Sequence, residues 1–373
     1  MTDDLFAALR CEPEIPSPDL VAVDAADRLI LDEAAPALAD AAPGTVVVIG
    51  DRYGALTLGA AARFGLTGLR SHSDRLTGEL ALAANAERAG MTAAYRSCDL
   101  VPELVAGARV VVLALPRSLD ALDEVAGLIA AHADPQVVLV AGGRDKHMSP
   151  AMNEVLGRHF SAVHASRGRQ KSRVLHASGP ASAPVRWPVS VRHDDLGLTV
   201  CAHGAAFAGA RIDIGTRFLV EHLAAAVPDA RQAVDLGCGT GVLAGTLALR
   251  RPDIGVIATD ESAAAVASAR ATVAANDLTD RVRVQRARGT DGIAAGSVDL
   301  VLLNPPFHIG AAVEDSLARE LFAAAARVLR PGGELWCVWN SHLRYRPSLD
   351  ALVGPTRQVA RNPKFTVTAS TRR

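Results

Sequence analysis

The sequence predicts an α/β protein with two Rossmann-like, doubly wound parallel sheets in tandem. Three observations carry this. The chain has 373 residues, more than one small core requires, so two domains are expected. In each half, short apolar runs ending at a turn alternate with stretches of helix formers, the rhythm that builds a parallel sheet. Between the halves, residues 178–188 read SGPASAPVRWP, rich in Pro, Ser and Ala with no helical or strand period. That composition marks a linker, leaving domains at 1–177 and 189–373.

In the C-terminal half, QAVDLG is an apolar strand that stops at glycine, and GVLAGTLALRR is the helix after it. IGVIATD and SAAAVASARATVAAN repeat the pair, and RVRVQRA, VDLVLLN and GELWCVWN are further strands. DSLARELFAAAARVLR is the helix before GELWCVWN, and KFTVTAS near the C-terminus is expected as an antiparallel edge strand. The N-terminal half repeats the plan with TVVVIG, LTGLRSHSD, ARVVVLALP and PQVVLVAGG as strands, and with ALTLGAAARFG and RLTGELALAANAERAG as helical segments. The two halves can be laid over each other. Ile49–Gly54 falls on Leu236–Gly241, Ser73-Asp74 on Asp260-Glu261, and Leu115-Pro116 on Asn304-Pro305. This reads as a duplicated domain.

Composition narrows the class. No run of about 18 apolar residues suggests a membrane span, and the acidic start MTDDLFAALRCEPEIP does not read as a signal peptide. Cys11, Cys98, Cys201, Cys238 and Cys337 lie far apart with no CxxC pair, which fits a reducing cytoplasm and no zinc cage. Net charge is −1, but its distribution is uneven. Residues 1–40 carry only Arg10 and Arg28 as bases. Arg167, Arg169, Lys171 and Arg173 form one basic stretch, and the tail holds Arg344, Arg346, Arg357, Arg361, Lys364, Arg372 and Arg373 against Asp350 alone. Such stretches are either phosphate-facing surfaces or solvated faces.

Two motifs carry the chemistry. Val234–Gly241 reads VDLGCGTG where a strand turns into a helix. Gly237, Gly239 and Gly241 let backbone approach a ligand closely, and free amides face it at the helix start. Asp235 precedes the first glycine by two residues. Asp260 ends the next strand, where a carboxylate can accept from ribose hydroxyls or simply cap a helix, a role Ser262 could also take. Asp291 is a further candidate in the turn GTDG. The second motif, Asn304-Pro305-Pro306-Phe307, follows the buried run DLVLL, so it sits at the end of a strand where open α/β sheets place their sites. A conjugated amino group is a poor nucleophile. The Asn304 side-chain oxygen and the Pro305 carbonyl can each accept one of its N–H bonds and orient it. The prolines add no competing donor, and Phe307 can stack on a flat base.

The glycine loop resembles motif I of the class I methyltransferases, and Asn-Pro-Pro-Phe resembles motif IV of those that modify an exocyclic or amide nitrogen. Upstream, Phe207–Leu219 is similar to a segment that closes over the cofactor in this group, which implies cofactor contacts for Phe207, Asp213, Gly215 and Thr216. Pro331-Gly332-Gly333, Asn362–Phe365, Ala141–His147 and Gln170–Leu175 add to the likeness. As a whole the chain resembles the two-domain ribosomal-RNA guanine-N2 methyltransferases of the RsmC/RlmG type, and Ala141–His147 leans toward the large-subunit enzyme. The resemblance implies S-adenosyl-L-methionine as cofactor, ribosomal RNA or a ribosomal subunit as partner, and no metal. It also implies that the N-terminal domain is a degenerate copy. Arg52 stands where the other half has Gly239, Val48 where it has Asp235, Ser73 where it has Asp260, and Leu115–Ser118 where it has Asn304–Phe307. Residues 1–177 are therefore expected to bind no cofactor and to hold RNA or support the other half, with Arg167, Arg169, Lys171 and Arg173 as phosphate contacts. Adenine N6 and a protein glutamine amide remain alternative targets. A non-catalytic RNA-binding protein would not need an intact glycine loop and Asn304, and an NAD-dependent oxidoreductase would not need Asn-Pro-Pro-Phe.

Overall fold

The computed structural model describes residues 2–14, 20–181, 186–305 and 311–373. The chain divides into two compact units, Met1–Trp187 and Pro188–Arg373. In the first, strands β1 (Val46–Ile49), β2 (Leu69–His72), β3 (Tyr95–Ser97), β4 (Val110–Ala114), β5 (Val138–Arg144), β6 (Phe160–Ala165) and β7 (Ser172–Pro180) form one sheet of order β3-β2-β1-β4-β5-β7-β6. The first five are parallel and β7 runs antiparallel to both β5 and β6. Ser178, Gly179 and Pro180, read from sequence as linker, instead finish β7. Trp187 is also tied to the first unit, its Nε1 donating to buried Asp123 at 3.1 Å.

The second unit opens with a hairpin, β8 (Val189–His193) and β9 (Leu198–Ala202), that the sequence pattern did not reveal. Then follow β10 (Gln232–Leu236), β11 (Gly255–Asp260), β12 (Val282–Arg286), β13 (Val298–Leu303), β14 (Leu329–Asn340), β15 (Thr356–Arg361) and β16 (Phe365–Thr371), in the order β12-β11-β10-β13-β14-β16-β15. This is the order of the first sheet. Central strand β13 is buried along its whole length, as expected for a parallel strand covered by helices on both faces. Ser262 caps the helix Ala263–Ala275 by accepting from the amide of Ala265, which frees Asp260 from that task.

The edge expectation for KFTVTAS needs correction. β16 is antiparallel, but it is interior, between β14 and β15, and β15 takes the edge. Phe365, Val367 and Ala369 enter one core, while Thr366, Thr368 and Ser370 face the other side of the sheet. Those hydroxyls are buried without penalty because each finds a partner, Ser341 at 2.8 Å, Trp339 Nε1 at 3.2 Å and Thr356 at 2.9 Å respectively. A polar alternation that looks half-exposed in sequence is thus buried on both faces.

Asp299 pins β13 to the start of β10. Its Oδ2 accepts from the amides of Arg231 (2.7 Å) and Gln232 (2.9 Å), and Arg330 pairs with Oδ1. Burial acts to raise this carboxyl, but the two amides and the guanidinium outweigh it and hold it below its usual value. Replacing Asp299 with Ala should lower the unfolding free energy by about 2 kcal/mol near neutral pH, the scale of lost charge-assisted hydrogen bonds. A depressed native carboxyl stabilises above the unfolded-state value and loses that contribution as pH falls through the native one. Urea unfolding should therefore show the gap between variant and parent narrowing once pH drops below 3.8.

Candidate active site

The C-terminal ends of β10, β11 and β13 bring the sequence-chosen residues to one edge of the second sheet. Gly237, Gly239 and Gly241 all have positive φ (69°, 53° and 78°), the region that favours glycine. Their surroundings differ. A Cβ on Gly237 or Gly239 would meet nothing within 4 Å, so open space lies over that backbone. A Cβ on Gly241 would come within 3.2 Å of the Ala269 Cβ, so this glycine lets two helices pack closely. Asp260 accepts from Gly239 N (3.0 Å) and Ser262 N (2.9 Å), holding the loop against β11.

Asp235 is fully buried. Its Oδ2 accepts from Ala244 N at 2.9 Å, while Oδ1 finds no partner among the described residues. Burial first, and nearby Asp260 second, push its carboxyl up to about 7, with the Ala244 amide opposing them. Burial likewise raises the Cys238 thiol well above its usual range, so it carries no thiolate chemistry. Asp291 is exposed in a turn, with its amide on Arg288 O and its carbonyl held by Gln285. Phe207 is also exposed, at 59 %.

Asn304 and Pro305 leave the end of β13; Pro306 and Phe307 lie outside the described residues. The Asn304 side chain is gripped from the helix Ile214–Val220. Its Nδ2 donates to Asp213 Oδ2 (3.0 Å) and Thr216 Oγ1 (2.9 Å). Its Oδ1 is buried and has no partner among the described residues. Flipping the amide would set Oδ1 against a carboxylate that can only accept, so the orientation is enforced. Asp213 Oδ2 also caps its own helix, accepting from Gly215 N (2.9 Å) and Thr216 N (3.1 Å). Gly215 is tightly enclosed: a Cβ would lie 3.0 Å from Asp213 Oδ2, 3.2 Å from Phe365 and 3.5 Å from Asn304 Oδ1. Asp213, Gly215 and Thr216 were chosen from sequence for cofactor contact; the structure gathers them around Asn304. Sequence reasoning missed this grip because its partners lie 88 and 91 residues apart along the chain.

The corresponding edge of the first unit is filled differently. Asp51, buried at the position of Cys238, accepts from Gly54 N (2.9 Å) and Thr57 N (2.7 Å). Glu14 lies across the strand ends, accepting from Tyr53 Oη (2.8 Å) and Arg75 (2.6 Å). Asn85 ties the backbone of Arg10 to that of Tyr53. Arg167, Arg169, Lys171 and Arg173 come together, all exposed, on the hairpin joining β6 to β7. Gln170 and Lys171 take positive φ (51° and 58°) at its tip, Arg169 pairs with Asp32, and Arg173 lies 3.6 Å from Asp145. No group of three or more His, Cys, Asp or Glu among the described residues is placed to hold a metal ion, and no described helix is long and apolar enough to cross a membrane.

A glycine loop after β10, an acid ending its neighbour β11 and Asn-Pro at the end of β13, on a sheet with one antiparallel strand inserted near its edge, have the plan of a class I methyltransferase. Residues 197–369 match the Methyltransferase small domain family, and residues 2–181 match the RLMG N-terminal domain. The chain is 37 % identical over 365 residues to the ribosomal RNA large subunit methyltransferase G of Streptomyces coelicolor, covering 95 % of both chains. It is 37 % identical to the protein of that name from Pseudomonas aeruginosa PAO1, again over 95 % of each. A T. thermophilus 16S rRNA N2 G1207 methyltransferase (RsmC), solved with AdoMet and guanosine, shares the fold over the full length of both chains with a TM-score of 0.74 at 21 % identity. The protein belongs to the ribosomal RNA large subunit methyltransferase G family.

The raised Asp235 carboxyl has a consequence for stability. A group whose native pKa exceeds its unfolded one stabilises at low pH and loses that contribution as pH rises through the native value. For Asp235 the loss spans pH 3.8 to about 7. Asp235→Asn, which stays neutral, should melt at or above the parent temperature at pH 8 and should lack this decline, as read by thermal unfolding across pH.

Proposed function

We propose that the chain transfers a methyl group from S-adenosyl-L-methionine to the exocyclic N2 of a guanine in large-subunit ribosomal RNA, and that its Pro188–Arg373 unit does the chemistry. The observation that carries this reading is the locked amide of Asn304. Both hydrogens of its Nδ2 are committed to Asp213 and Thr216, so the group offers only an acceptor, Oδ1. An acceptor beside the Pro305 carbonyl suits a nitrogen that carries two hydrogens, as guanine N2 does.

The residues present fit the cofactor. Open space over Gly237 and Gly239 leaves room for a ligand against the backbone. Asp235 Oδ1, buried and unpaired among the described residues, suits an ammonium group, and Asp260 at the end of β11 suits ribose hydroxyls. S-adenosyl-L-methionine supplies a methyl group on a positively charged sulfur. The target guanine must leave its stack to reach Asn304. Asn304 Oδ1 and Pro305 O each take one N–H, which aims the nitrogen at the methyl carbon. The N–C bond forms as the S–C bond breaks, and the alkylated nitrogen is acidic enough to give its proton to water. No side-chain base is needed, and the rate gain comes from positioning and exclusion of water.

The first unit, in this reading, is a duplicated and degenerate copy that holds RNA or supports the catalytic unit. Its sheet has the same strand order, but the Asp51 carboxylate occupies its loop amides and Glu14 lies across its strand ends. The hairpin bearing Arg167, Arg169, Lys171 and Arg173 is its candidate phosphate contact, with Arg167 and Lys171 making no ion pair among the described residues. A ribosomal RNA substrate implies a cytoplasmic location.

The test is transfer of a labelled methyl group to ribosomal RNA, free and as subunits, followed by nucleoside analysis. N2-methylguanosine from the large subunit is expected. Label on adenine N6 or on a protein amide would overturn the assignment of target. Asn304→Ala should keep cofactor affinity and lose roughly a hundredfold or more in turnover. Thr216→Val, which removes one acceptor from the grip, should slow turnover at unchanged cofactor affinity, and Thr216→Ser should restore most of the rate. Parental turnover in Asn304→Ala would show that its amide does not orient the nucleophile.

A further inference from the structure

We propose that Arg344, Arg346 and Arg361 hold the phosphate backbone of the RNA substrate in a cavity beside the catalytic edge. This rests on the RNA methyl transfer proposed above and adds a place where the strand is gripped.

The cavity has a volume of about 340 Å³ and is open to solvent. Three arginines from two separate stretches line it, Arg344 and Arg346 from the turn after β14 and the start of the helix that follows, and Arg361 from the end of β15. Among the described residues, no carboxylate lines it. Arg344 and Arg361 make no ion pair among the described residues, and Arg346 has only Asp350, at 3.9 Å. Three exposed positive charges this close together repel one another unless an anion joins them. Arginine forks match phosphate oxygens two at a time. Ser341 and Thr366 also line the cavity. They bond to each other at 2.8 Å, which uses one of their two hydroxyl hydrogens and leaves the second as a donor. Buried Trp339 contributes to the wall. Arg344 sits at φ 52°, ψ 43°, the left-handed region that residues other than glycine seldom adopt.

Position argues for RNA over a free anion. β13, which carries Asn304, is followed across the sheet by β14, β16 and β15. Three strand spacings put the end of β15 about 15 Å from that of β13. The two places adjoin across β16: Gly215 lies against Asn304 and Phe365 on one face of the sheet, and Thr366, the next residue, lines the cavity on the other face. A strand whose target base sits at Asn304 and that passes over the strand ends brings its neighbouring phosphates to the cavity on the other face. Phosphate-binding groups of this kind set register and affinity and read no sequence.

The test compares Arg344→Gln, Arg361→Gln and the double variant with the parent, using a ribosomal RNA fragment that the parent methylates. Arg231→Gln, exposed at the opposite end of the sheet, is the control. The expected result is a KM for RNA raised about tenfold per substitution, with kcat and S-adenosyl-L-methionine affinity unchanged. The slope of log affinity against log salt should shrink by roughly 0.7 for each single-strand phosphate that is no longer neutralised. Arg344→Lys should keep most of the slope while losing affinity, because charge remains and the fork does not. Parental KM and slope in the double variant would overturn the proposal. So would inorganic phosphate binding, measured by titration calorimetry, that the double variant abolishes while KM for RNA stays parental; the cavity would then be a free-anion site. If the parent methylates no RNA at all, the proposed function fails first and the cavity loses its assignment with it.

Discussion

Oδ2 of Asp213 accepts hydrogen bonds from Gly215 N, Thr216 N and Asn304 Nδ2 together, and so couples the start of a helix to the end of the central strand β13. The rest of the reactive edge depends on that coupling. Helix capping fixes the carboxylate, the carboxylate fixes which way the amide faces, and the amide is left with one buried acceptor that has no partner among the described residues. A side chain at Gly215 would crowd the three groups that meet there. The helix start and the orientation of the Asn304 amide therefore rest on the same atoms.

The two units carry the same strand order with different polar groups at the corresponding strand ends. Both sheets have the same order, so strand ends, loops and helix starts recur in the same places. In the second unit the loop glycines leave room above the backbone and a buried carboxylate keeps an unused oxygen. In the first, Asp51 turns inward to satisfy its own loop and Glu14 links Tyr53 to Arg75.

Much of this was legible in the sequence because it is local. The glycine loop, the acid ending β11 and Asn-Pro after β13 are contiguous patterns tied to strand ends, and each falls where its pattern placed it. What depends on distant partners was not legible. Asp213 and Thr216 carry a helix-start pattern, and nothing near them in the chain points to Asn304. The glycine pattern did not reveal that Gly241 answers to Ala269 while Gly237 and Gly239 face open space. β16 was misplaced at the edge because its threonines look solvated until their buried partners are known. The tail reads in sequence as one basic stretch, either phosphate-facing or solvated, and the fold selects three of its arginines, from the turn after β14 and the end of β15, to line one cavity.

The interior position of β16 also bears on the order in which the second unit can assemble. β15 precedes β16 in the chain but has no neighbour in the sheet except β16. During synthesis β15 therefore emerges with nothing to pair with, and β14 stays an open edge until β16 inserts between them. The hairpin must form first or dock as a pair, since β15 alone has no place on the sheet. In the first unit β6 likewise waits for β7. Each half of the chain thus completes its sheet with the last strand made, and an unfinished chain presents a bare strand edge of the kind that favours pairing with other molecules.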